Sequence, residues 1–157
     1  MISRRDWLRV TASGVALGTL SARHLVAAPA AKQATVYKSA SCGCCKKWVE
    51  HMQKAGYTVT SNDVPDVNVY KTRYAVAEAL WSCHTAIVTG GYVVEGHVPA
   101  DVIDKFLADA PKAPKDIIGL AVPGMPQGSP GMETGTTEKY DIVAFTKAGK
   151  TKVYATR

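Results

Sequence analysis

Apolar residues recur along this chain with two different periods, and each change of period marks an element. Ala34-Thr35-Val36-Tyr37-Lys38 is a short run rich in β-formers and reads as a first strand. It breaks at Ser39-Ala40-Ser41, and from Cys42 onward the period becomes helical. Trp48, Val49, Met52 and Ala55 fall on one face, and Gly56 supplies the C-terminal stop. Tyr57-Thr58-Val59-Thr60 predicts a second strand. Residues 67–80 predict a second helix, with Val69, Tyr70, Tyr74, Ala77 and Leu80 as its apolar stripe. Ala86-Ile87-Val88-Thr89 and Tyr92-Val93-Val94-Glu95 flank Gly90-Gly91, the signal of a two-residue hairpin. Pro99 opens a third helix with Val102, Ile103, Phe106 and Leu107 on one side and Pro111 beyond its end.

Beyond Pro111 the pattern turns irregular. Five Gly and three Pro between Ile117 and Gly135 predict no regular structure across that stretch. Tyr140 to Phe145 and Thr151 to Tyr154, around Ala148-Gly149, predict a closing hairpin. The order strand, helix, strand, helix, strand, strand, helix defines an α/β chain of thioredoxin-like arrangement (βαβαββα). A C-terminal Gly/Pro-rich loop and a β-hairpin follow it.

Composition adds a boundary. A length of 157 residues suits one domain with a short extra piece, and 46% hydrophobic against 20% charged residues is enough for an ordinary core. Half of the formal net charge of +6 lies in residues 1–30, where Arg4, Arg5, Arg9 and Arg23 face only Asp6. Ser3-Arg4-Arg5-Asp6-Trp7-Leu8 matches the twin-arginine pattern, and a Gly/Ala/Ser/Thr-rich apolar stretch runs from Val10 to Ala22. Ala28-Pro29-Ala30 is the candidate cut site. Residues 1–30 are therefore expected to be a cleaved export signal that takes His24 with it, leaving a single periplasmic domain over 31–157. The apolar stretch falls short of the ~20 residues a membrane span needs, so no stable span is expected after cleavage. No basic run or aromatic-basic interleaving marks a nucleic-acid partner.

The destination changes how the cysteines read. Four Cys in an oxidising compartment would by default form two disulfides. The spacing resists this, because Cys42, Cys44 and Cys45 crowd into four positions and only Cys83 lies far away. A disulfide between Cys42 and Cys45 stays open as an alternative.

In the thioredoxin-like arrangement Cys42 to Cys45 sit where the first strand ends and the first helix begins. The third strand runs antiparallel to the first, so Cys83 and His84 start at that same end. The fourth strand returns, and delivers His97 there. Four thiols and two imidazoles are thus expected at one edge. A helix N-terminus favours thiolates, but thiolates packed together repel unless a cation neutralises them. Sulfur ligands select soft ions, Cu(I) before Zn(II), and three crowded cysteines suit a multinuclear cluster better than one tetrahedral zinc. Met125 and Met132 stand in a loop with few apolar neighbours; thioethers bind Cu(I) and hardly bind zinc. Met52 reads as core, His51 as solvated, and Trp81 as core packing beside Cys83.

These stretches resemble a known family. Cys42-Gly43-Cys44-Cys45-Lys46-Lys47-Trp48-Val49, Ser82-Cys83-His84-Thr85-Ala86, Val93-Val94-Glu95-Gly96-His97-Val98-Pro99 and Gly119-Leu120-Ala121-Val122-Pro123-Gly124-Met125-Pro126 through Gly131-Met132-Glu133 are similar to the CopG-type copper-resistance proteins. The likeness runs from about Val36 to Tyr154. It implies a thioredoxin-like fold in which Cys42, Cys44, Cys45 and Cys83 bridge several copper ions, supplemented by His84, His97, Met125 and Met132. It implies copper resistance in the periplasm, with storage, transfer and Cu(I)/Cu(II) interconversion left open as its step; a copper chaperone or efflux component is the expected partner. The alternative is a thiol–disulfide oxidoreductase that attacks with Cys42 and resolves with Cys45. Against it, Cys44 is a competing thiol, and Cys83 stands where such enzymes normally carry a cis-proline.

Overall fold

The computed structural model of the chain describes residues 31–157; the expected export signal, with His24, lies outside the described residues. Seven strands form one sheet: β1 (Gln33–Lys38), β2 (Thr58–Asp63), β3 (His84–Val88), β4 (Tyr92–Glu95), β5 (Ile117–Ala121), β6 (Asp141–Thr146) and β7 (Thr151–Thr156). Their order is β2-β1-β3-β4-β5-β6-β7. β1 pairs parallel with β2 and β4 with β5; the other neighbours are antiparallel. Three helices join them: α1 (Gly43–Lys54), α2 (Asn68–Arg73) and α3 (Ala100–Asp109).

Alternation along the strands divides the molecule into two apolar layers. Val36, Ala86, Val94, Leu120 and Ala144 point to one face and pack with Trp48 and Met52 of α1 and Val102, Ile103 and Phe106 of α3. Val93, Ala121 and Phe145 point to the other and pack with Val76 and Leu80, beyond α2. Met52 is fully buried, as its helical spacing predicts. No helix among the described residues is long and apolar enough to cross a membrane.

The expected helix over 67–80 is a single short one. α2 stops at Arg73, Ala75 takes φ +56°, and a separate 3₁₀ turn covers Glu78–Leu80. The Val76 amide donates to the Lys71 carbonyl and the Ala75 amide to that of Thr72, the paired bonds of a Schellman end. Val69 of the expected stripe is 51% exposed, and the buried residue of α2 is Lys71.

Irregular structure throughout 117–135 is likewise overturned, because β5 occupies Ile117–Ala121 and bridges β4 to the closing hairpin β6–β7. Gly119 reads as a breaker yet belongs to the strand, since a Cβ there would lie 2.0 Å from the Val93 carbonyl oxygen. The β3–β4 connection is also one residue longer than predicted: Val88 pairs with Tyr92, and Thr89, Gly90 and Gly91 form the turn.

Candidate metal centre

Strand pairing delivers the predicted residues to one end of the sheet. Lys38, last in β1, lies opposite His84, first in β3, and Thr85 lies opposite Glu95, last in β4. The turn after β1, the approach to β3 and the exit from β4 therefore share an edge.

Cys42 caps α1, its sulfur accepting the Cys45 amide at 3.3 Å. Cys42 and Cys45 are joined by a disulfide, while Cys44 and Cys83 are free thiols. The alternative pairing left open by the spacing is thus the one present. Cys44 Sγ lies 3.5 Å from Cys42 Sγ and 3.7 Å from Cys83 Sγ. Cys45 is buried and the other three are half-buried. All four sulfurs lie within 4.8 Å of one another, and a second group of the same compactness joins Cys83 to His84 and His97.

The imidazoles are set by their surroundings. His97 is fully buried, and its Nδ1 lies 2.7 Å from the Pro130 carbonyl oxygen. A carbonyl only accepts, so Nδ1 carries the proton, and the lone pair of Nε2 faces Cys83 Sγ at 2.9 Å. A ring held by a backbone carbonyl with its other nitrogen free is how proteins orient metal-binding histidines. Burial lowers the His97 pKa, against the Pro130 bond and Glu133, and lowers that of His84 further. Both rings are neutral at neutral pH and available as donors. His84 packs on Trp48, ring centroids 4.4 Å apart, and edge-on to His97 at 5.1 Å. Its Nδ1 is 3.6 Å from Cys83 Sγ, and its buried Nε2 has no hydrogen-bond partner among the described residues. A buried polar atom left unpaired is costly, and a cation bound by the ring would relieve that cost.

For Cys83 the environment opposes the thiolate. Burial first, then the neighbouring Cys44, push its pKa up to about 12. A bound cation would favour its thiolate.

The Gly/Pro-rich loop borders the site at two points. The Ser82 hydroxyl donates to the Gly124 carbonyl, next to Cys83. A Cβ on Gly131 would lie 2.6 Å from the Cys44 carbonyl oxygen and 3.3 Å from His97 Nδ1. Met125 stands 51% exposed beyond Gly124, and Met132 is half-buried beyond Gly131.

His51 departs from expectation. It is half-buried, and its Nε2 accepts the Ala100 amide at 3.0 Å, closing the N-terminus of α3. Trp81 is half-buried in the second apolar layer, its Nε1 donating to the Val76 carbonyl at 2.9 Å. Pattern reading did not anticipate the ion pair of Lys71 with Glu95 behind Ser82. The signal was an acid closing the otherwise apolar run Tyr92-Val93-Val94.

A mixed α/β chain with four sulfurs and two neutral imidazoles gathered at one sheet edge has the donor set of a soft-metal-binding protein. Residues 80–132 match the family described as "Protein of unknown function, DUF411". Two solved structures of copper resistance protein copG, Form 1 and Form 2, are each 40% identical to this chain with a TM-score of 0.72. They cover 80% of it and 96% and 98% of their own chains. The chain belongs to the CopG family of copper-resistance proteins. No curated protein matches it.

Proposed function

We infer that the reduced protein binds copper as Cu(I) on Cys42, Cys44, Cys45 and Cys83, several ions sharing bridging thiolates, with His84 and His97 as nitrogen donors. The observation that carries this reading is the position of Cys83. Its sulfur lies 3.7 Å from Cys44 Sγ, across 39 residues of chain, and 2.9 Å from the aimed nitrogen of His97. Thiolates so close repel strongly in a partly buried site, and soft cations between them remove the repulsion. Met125 and Met132, on the loop over the site, add thioethers that favour copper over zinc. Cu(I)/Cu(II) interconversion, a thioredoxin-like β2-β1-β3-β4 core, twin-arginine export to the periplasm and exchange with a copper chaperone or efflux component belong to the same reading.

The Cys42–Cys45 disulfide favours a second reading, a thiol–disulfide oxidoreductase. Opening that bond takes two electrons and two protons from an external dithiol, or from two thiols, which are themselves oxidised to a disulfide, and frees two more ligands for copper. Both readings are tested on one preparation. The domain over residues 31–157 is reduced without oxygen, loaded with Cu(I) and assayed for metal per chain, and the metal-free form is assayed for insulin reduction. Copper binding predicts more than one Cu(I) per chain, falling in Cys44→Ser/Cys45→Ser. One ion or fewer per chain contradicts it, and metal-free turnover abolished by Cys42→Ser supports the enzyme.

A further inference from the structure

A second buried polar network lies on the opposite face of the sheet from the imidazoles. Glu95 ends β4 at 0% exposure, and Lys71 of α2 is 2% exposed. The two form an ion pair. Glu95 Oε1 also accepts the Ser82 amide at 2.7 Å, Oε2 accepts the Thr85 hydroxyl at 2.7 Å, and Lys71 Nζ reaches Thr85 Oγ1 at 3.3 Å. A pair this deep is a poor stabiliser, because removing two charges from water costs about what their attraction returns. Apolar residues of similar volume often do as well or better.

Its location assigns it another use. Ser82 immediately precedes Cys83, and Glu95 stands two residues before His97, so one carboxylate joins the two segments whose side chains meet as Cys83 Sγ and His97 Nε2. A backbone bond also joins these two segments, and another ties the second to the end of β5. The Gly96 amide donates to the His84 carbonyl and the Val122 amide to that of Glu95, each at 3.0 Å. A Cβ on Gly96 would lie 2.5 Å from Ser82 Oγ, so Ser82 sits directly against the turn that leads to His97.

We propose that Glu95, held by Lys71, is a positioning residue that grips the Ser82 amide and so sets Cys83 against His97, fixing the affinity of the thiolate–imidazole pair for Cu(I). The proposal rests on the copper-binding reading and names a residue that governs the site without touching metal.

Two double variants separate gripping from packing. Lys71→Met/Glu95→Gln removes both charges and keeps an acceptor for the Ser82 amide; Lys71→Met/Glu95→Leu removes the acceptor as well. Cu(I) affinity is measured on reduced protein by competition with a soft chelator, at a temperature where melting curves show each variant folded. Outer partners of metal ligands are worth about 10–100-fold in affinity. The Leu variant is expected to lose at least about 10-fold, while the Gln variant stays within about 3-fold of the parent protein. Equal affinity in the two variants overturns the proposal alone, whether both lose or neither does. Failure of the parent protein to bind Cu(I) overturns the copper reading itself. Should the Leu variant not fold, hydrogen exchange of the Ser82 amide in the metal-free parent decides: protection supports the grip, and exchange at the rate of an open amide overturns it.

Discussion

Replacing Gly131 with alanine tests whether the Gly/Pro-rich loop is seated on the site. Gly131 has φ +91°, and a Cβ there would lie 2.6 Å from the Cys44 carbonyl oxygen and 3.1 Å from the Trp48 nitrogen. Both contacts are backbone atoms of α1, which cannot rotate away as a side chain tip can. Two costs add: about 1–2 kcal/mol for an L-residue at positive φ, and about 1–3 kcal/mol for forcing atoms into filled space. The expected loss is about 2–5 kcal/mol, a fall in Tm on the order of 10 °C for a chain of this size. Gly135 supplies the control, since its φ is +89° but nothing lies within 4 Å of a Cβ there. Gly135→Ala should therefore show only the backbone cost. Thermal melts of the metal-free variants, followed by circular dichroism, measure the difference directly. Cu(I) competition adds a second readout, because displacing the loop moves the Pro130 carbonyl that holds His97. If Gly131→Ala melts within about 2 °C of Gly135→Ala and binds Cu(I) as tightly, the seating of the loop is wrong.

Two further outcomes are expected. Trp48→Phe empties part of a buried site and strands the Val98 carbonyl that the indole nitrogen now serves at 2.9 Å, so it should cost about 1–3 kcal/mol by chemical denaturation. A denaturation midpoint equal to that of the parent would contradict this. His51 is held below the ordinary imidazole range by burial and the charge of Lys54, against the opposing carboxylates of Glu133 and Asp101. The unfolded chain therefore takes up the proton first, and His51 contributes stability that is whole above about pH 6.5 and is lost as the pH falls below it. His51→Gln keeps an acceptor for the Ala100 amide without titrating, so the Tm of the metal-free variant should fall less between pH 7 and pH 5. Parallel curves would refute the assignment.

Much of this architecture was legible because local signals and packing agreed. The helical spacing of Trp48, Val49 and Met52 and the glycine at position 56 announced α1 and its end. Gly56 takes φ +88°, and the Tyr57 amide closes onto the Met52 carbonyl. The same motif ends α2, but there the left-handed position is filled by Ala75, which carries no such signal, so the apolar pattern overruns the helix end. Gly119 misled in the opposite direction, for it is required by the close approach of two strands, a tertiary fact absent from local pattern. The convergence of Cys83 and His97 on Cys42–Cys45 follows from the strand directions of a thioredoxin-like arrangement, and the structure brings these side chains together. Lys71 and Glu95 were missed because a buried charge is recognisable only with its partner. The Cys42–Cys45 disulfide is permitted by the spacing but not required by it.

In the proposed copper-loaded protein, sulfurs from two distant stretches share soft cations. X-ray absorption at the copper edge of the reduced, Cu(I)-loaded protein reads this directly. Sulfur-dominated coordination with a copper–copper vector is expected, with that vector disrupted in Cys83→Ser. Isolated copper ions whose environment is unchanged by Cys83→Ser would contradict it.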